Sequence, residues 1–173
     1  MNAQHKMNSA MNNYLQVAEI LSNDLMTILE QETECETWKR TYIRHVSAMI
    51  EGDSYCFQQM AVIGLEVESP SLTSKEEKAL KSSISFSASD QIKYVLRAAY
   101  KMFDLGDPPD FSGREWELAK EFFLKRHKLM HPKKLEDIRI SGEEWEKLHD
   151  GSKWLVAEHF NIVSRLYERY AKH

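Results

Sequence analysis

Two cysteines, four prolines and six glycines in 173 residues leave little material for the folds those residues build. Cys35 and Cys56 match no zinc-ligand spacing and no disulfide framework. Both fall in helical pattern and read as buried free thiols in a reducing compartment. With so few turn formers and almost no period-two alternation, a β architecture is excluded. No apolar run approaches the roughly 20 residues of a membrane span. The polar segment Met1 to Asn13 has no apolar core of a signal peptide. These absences together predict a cytoplasmic protein without a membrane partner. There is also no excess of positive charge: the net charge is −4. Coating nucleic acid by bulk charge is therefore excluded, while a local basic site is not.

What is present is helical spacing. One stripe runs from about Ser9 to Gln31 through Met11, Leu15, Ala18, Leu21, Leu25, Ile28 and Leu29. A longer one runs from about Thr33 to Glu66, with Trp38, Tyr42, Ile43, Val46, Met49, Ile50, Tyr55, Phe57, Met60, Ile63 and Leu65, and Gly52 as a possible kink. Thr73 with Glu76 reads as a capping box opening a short helix. Ser87 or Ser89 opens the next, which carries Ile92, Val95, Leu96, Ala99, Met102 and Phe103. The break Gly106-Asp107-Pro108-Pro109-Asp110 follows. Ser112 with Glu115 predicts a second capping box, ahead of Trp116, Leu118, Ala119, Phe122, Phe123 and Leu129. Ser141 opens the last helix, with Trp145, Leu148, Trp154, Leu155, Ala157, Phe160, Val163, Leu166 and Tyr167. The expectation is an all-α fold, a single helical domain over 1–173 with four to five main helices and a disordered extension over 1–8.

Chemistry concentrates in Lys125-Arg126-His127-Lys128-Leu129-Met130-His131-Pro132. A guanidinium holds an anionic phosphate bidentately, and imidazole moves protons near neutral pH. RNA can be cut by its own 2′-hydroxyl with a base, an acid and a cation over the phosphate, and no metal. Arg126 and His131 lie five apart, oblique on an ideal helix. Pro132 pushes His131 out of α geometry, so its ring can swing. His127 and His131 share a face. Lys125, Lys128, Lys133 and Lys134 offer a basic track for flanking phosphates. The structural alternative is that cations simply favour a helix C-terminus. A metal reading of His127 and His131 lacks a third ligand.

This run, at the end of a late helix in an all-helical chain, resembles the motif of the HEPN superfamily (higher eukaryotes and prokaryotes nucleotide-binding): Arg, a polar residue, a short spacer, then His, often followed by Pro. The resemblance implies a metal-independent endoribonuclease without cofactor, of the toxin–antitoxin or phage-defence kind. It implies RNA as substrate, a homodimer with the site at its interface, and an antitoxin or defence-system partner protein. Arg126 would stabilise the phosphate, His131 would act as base or acid, and His127 would orient or assist. Members controlled by a nucleotidyltransferase antitoxin carry Tyr two residues after the motif His, where this chain has Lys133. Other members keep the fold and bind nucleotides or proteins without cutting.

Arg44, His45 and Glu51 are further candidates for support, with Asp53 beside them, because they are ionisable groups amid Ile43, Val46 and Met49. Glu146 and His149 have the Glu-x-x-His spacing of di-iron bundles, but only one copy occurs, so a solvated face is the reading. Trp38, Trp116, Trp145, Trp154, Phe122 and Phe123 fall at core spacing rather than forming a base-stacking platform.

Overall fold

The computed structural model describes residues 2–31, 35–67, 69–82 and 85–170, the last two without their side chains. Among these the fold is all-α, with seven helices and no strand. Five are long: α1 Ala3–Leu29, α2 Glu36–Gly64, α4 Ala88–Met102, α5 Arg114–Met130 and α7 Gly142–Tyr170. Two are short: α3 Ser74–Leu80 and α6 Leu135–Ile138. The chain divides into two compact units, and α1, α2 and α7 each contribute a segment to both. The first unit takes the chain up to Val17, Glu51–Pro109 and everything from Glu158. The second takes Ala18–Ile50 and Asp110–Ala157.

The first unit is built on Tyr14, Phe57, Met60, Leu96, Phe103, Ile162 and Leu166, all essentially without solvent contact. Residues 3–8, expected as a disordered extension, are helical, and Lys6 pairs with Glu66 at 2.7 Å. The only fully buried side chain of α1 is Tyr14, outside the predicted stripe. α3 opens with the predicted capping box: Thr73 Oγ1 accepts from Glu76 N at 3.3 Å, and Glu76 Oε2 accepts from Thr73 N at 2.7 Å. Glu76 is fully buried and also pairs with Arg97 (3.2 Å) and Lys101 (2.8 Å). Burial alone would raise its pKa, but the bonds from Lys101 and Thr73 bring it below the ordinary value. Ser87 caps α4, accepting from Asp90 N at 3.2 Å.

The buried side chains of the second unit include Ile43, Val46 and Ile50 of α2, Trp116, Ala119 and Phe122 of α5, and Trp145, Leu148 and Leu155 of α7. α5 and α7 approach closely at Gly151, where a Cβ would stand 2.5 Å from the backbone of Leu118. Trp38, Tyr42, Trp145 and His149 form one aromatic cluster, with ring centroids 5.0–5.6 Å apart. Phe111, Trp116 and Trp154 form another.

Several further expectations change, and one holds. Ser112 does not cap α5: its N–H and hydroxyl both donate to Asp110 Oδ1, and Gly113 is the N-cap without a side-chain bond. Ser141 does open α7, accepting from Glu144 N at 3.2 Å. The inner face of α7 runs through Ser152, Leu155, His159, Ile162 and Leu166, leaving Phe160 and Tyr167 exposed. Likewise Tyr55 of α2 is exposed rather than packed. Cys35 is exposed and Cys56 half-buried, so neither is the buried thiol expected. α2 runs on through Gly52, and its predicted start at Thr33 lies outside the described residues.

Candidate functional site

The helix that carries the Arg–His run is placed by its own sequence. Glu115 and Glu117 sit in its first turn and His127 and Lys128 in its last, each sign where the helix dipole favours it. Trp116, Ala119, Phe122, Phe123 and Leu129 turn inward and anchor it in the second unit. The helix stops because Pro132 excludes α geometry from the residue before it. His131 accordingly takes φ −132° and ψ 59°, while its N–H still donates to His127 O at 3.0 Å.

The stop brings the two imidazoles together. The rings of His127 and His131 lie 5.1 Å apart between centroids, tilted by 54°, and both residues are exposed. Arg126, half-buried, immediately precedes His127, about 100° round the helix. Lys128, Lys133, Lys134 and Arg139 are exposed around the same helix end.

Three side chains hold this end in shape. Arg44, at an exposed position on α2, donates to Leu129 O at 3.2 Å, satisfying one of the orphan carbonyls of α5. Arg40, one turn earlier on α2, donates to Ile138 O at 3.2 Å and to Glu36 at 3.1 Å. Asp137 accepts from the N–H groups of Lys133 (2.8 Å) and Lys134 (3.2 Å) and so closes the turn after Pro132. The Lys133 N–H above all, then that of Lys134 and the charges of Lys134 and Lys128, hold the Asp137 carboxyl below its ordinary pKa, against the pull of desolvation.

Of the predicted site residues, His127 and His131 stand together, with Arg126, Lys128, Lys133 and Lys134 in the same segment, and Arg44 reaches its end. Lys125 leaves the basic track. It is buried, with its ammonium donating to the carbonyl of Arg139 and pairing with Glu144 at 3.1 Å. His45 serves elsewhere: its Nε2 lies 2.9 Å from Leu21 O of α1. Glu51 belongs to the first unit, where it lines a cleft, and Asp53 is buried in that unit. His149 stacks on Trp145 at 5.0 Å while Glu146 is exposed. Among the described residues no group of three or more His, Cys, Asp or Glu could hold a metal ion.

Sequence reasoning missed Arg40 and Asp137. Each left a signal: Arg40 repeats Arg44 at four residues' spacing, and Asp137 follows Lys134 by three, the interval of an acidic residue reaching back to a helix start. No helix of the described chain is long and apolar enough to cross a membrane. No protein-family model, curated protein or solved structure matches this chain.

Proposed function

We propose that the end of α5 is the active site of a metal-independent endoribonuclease of HEPN type, a toxin or phage-defence effector. One observation carries the reading: two exposed imidazoles in ring contact, directly after an arginine and amid exposed lysines. Arg126 binds the scissile phosphate and offsets the charge that develops on it. One imidazole takes the proton of the 2′-hydroxyl as its oxygen attacks phosphorus. A second protonated group gives a proton to the departing 5′-oxygen. His131 fills one of these roles, and His127 orients or assists. The products are a 2′,3′-cyclic phosphate and a 5′-hydroxyl. Lys128, Lys133 and Lys134 hold the flanking phosphates. Two copies of the chain would bring their motifs together in a homodimer, with an antitoxin or defence partner restraining the activity.

The test is RNA cleavage and growth inhibition by the wild type beside Arg126→Ala and His131→Ala. Loss of an acid or base costs about 10²–10⁴ in rate and loss of a group that stabilises developing charge about 10²–10³, so either substitution should abolish visible cleavage and relieve toxicity. Cleavage that survives both substitutions would overturn the assignment. Phosphate-dependent RNA binding without any product would replace it with a non-catalytic HEPN-like nucleotide- or protein-binding module.

A further inference from the structure

The first unit carries a second chemical feature, remote in sequence from the Arg–His run. Ser54 of α2 and His159 of α7 are both nearly solvent-free, at 5% and 2% exposure, and Ser54 Oγ lies 3.0 Å from His159 Nε2. The imidazole is set in its plane by Phe57, whose ring stacks on it at 5.8 Å and 26°. A serine within hydrogen-bond reach of a held imidazole is the minimal form of an activated nucleophile. What separates this pair from an ordinary buried hydrogen bond is its setting. Ser54 lines an open cleft of about 460 Å³, walled by Tyr55, Phe86, Ile92 and Val95. That is room for a small molecule with an apolar body. One turn on from Ser54, Gln58 lines the same cleft; its amide donates to the carbonyls of Ala79 and Leu80 and to Ser82 Oγ, fixing that wall.

We infer that this cleft is an acyl-transfer site, in which Ser54 is acylated by a small carboxylic ester with an aromatic or branched apolar group. Ser54 Oγ forms a bond to the acyl carbon, and the ester C–O bond breaks. The Ser54 proton passes to His159 Nε2 and from there to the departing alkoxide. Water then attacks the acyl carbon, His159 takes its proton and returns it to Ser54 Oγ as the acyl carbon–Oγ bond breaks, and the carboxylic acid leaves. Phe86, Ile92 and Val95 hold the apolar group. The reaction needs nothing beyond the ester and water.

An alkyl fluorophosphonate tests this, because it traps an activated serine once and stays bound as fluoride departs. The full-length wild type should take up one adduct per chain, mapped to Ser54 by peptide mass spectrometry. His159→Gln should slow labelling by at least about 100-fold, the lower end of what a general base contributes, and should remove the imidazole from its pH profile. Ser54→Ala should abolish labelling. Ala88→Trp, at an exposed lining position of the cleft, should block labelling while leaving the Ser–His pair intact, and it does not depend on a core substitution folding. A wild type that acquires no adduct at Ser54 overturns the inference, as does labelling of Ser54 undiminished in His159→Gln. Neither outcome bears on the ribonuclease reading, which rests on other residues.

Discussion

Replacing Asp53 with asparagine should stabilise the first unit at alkaline pH and change little in acid. Asp53 is 6% exposed, and among the described residues its Oδ1 meets no hydrogen-bond partner. Burial pushes its pKa up to about 7, because taking a carboxylate out of water disfavours the charged form. Its charge adds to the burial that already raises the Tyr14 phenol and the Cys56 thiol. In the unfolded chain an aspartate ionises near pH 3.9. The folded state therefore binds the proton more tightly, and stability falls as pH rises from about 4 to about 7. About three pH units at about 1.4 kcal/mol each set the penalty above pH 7 near 4 kcal/mol. Asparagine never ionises and escapes this penalty. It still buries a polar group, but so does the protonated aspartic acid, and that cost of about 1–3 kcal/mol largely cancels, so a net gain of about 3–5 kcal/mol is expected above pH 7. Urea unfolding followed by circular dichroism at about pH 4.5 and about pH 8 reads the difference directly. The variant should match the wild type within about 1 kcal/mol in acid and exceed it in alkali, with a flatter pH dependence. A wild type whose stability does not fall between these pH values, or an asparagine variant with the same slope, would refute the reasoning.

Other consequences follow from single contacts. Gly151→Ala gains up to about 1 kcal/mol of helix propensity. It also drives a methyl into the Leu118 backbone at 2.5 Å, so a net loss of about 1–3 kcal/mol should appear as a lower melting temperature. Asp137 has a depressed pKa, so its hold on the turn is present at neutral pH and lost as pH falls through its folded pKa. The amides of Lys133 and Lys134 should then lose their protection in acid, read against the intrinsic exchange rate at the same pH, and Asp137→Asn should show weaker protection at neutral pH already. Substituting Lys128, Lys133 or Lys134 with alanine should each lower the salt dependence of RNA binding by about one in log–log slope. Lys125→Met should leave that slope unchanged and lower stability, since Lys125 is spent on Arg139 and Glu144.

The sequence carried the fold class because its apolar residues recur at three and four almost throughout, and Thr73, Ser87 and Ser141 mark helix starts that the structure keeps. It misled where a polar residue occupies a core position. On α7 the buried line passes through Ser152 and His159. A reader following apolar residues is pulled aside onto Phe160 and Tyr167. Those two polar groups are tolerated because Tyr42 and Ser54 lie 3.0 Å from them, and such partners are more than 100 residues away in the chain. The same blindness applies at Lys125, which reads as part of a basic run until the Arg139 carbonyl and Glu144 fold over it. At Ser112 a competing acceptor two residues back, Asp110, took the hydroxyl a capping box needs. The His127–His131 meeting was legible, because four residues on a helix and a following proline define it locally. The bracing by Arg40 and Arg44 was not, since it depends on where α2 lies beside α6 and the end of α5.

The proposed ribonuclease chemistry requires Arg126 and His131 to act on RNA through its own 2′-hydroxyl. The most direct measurement is cleavage of total cellular RNA in EDTA by the wild type and by the Arg126→Ala/His131→Ala double variant, with the chemistry of the new ends mapped. Cleavage by the wild type alone, leaving 2′,3′-cyclic phosphate and 5′-hydroxyl ends, is expected. New ends carrying a 5′-phosphate, or equal cleavage by the double variant, would contradict it.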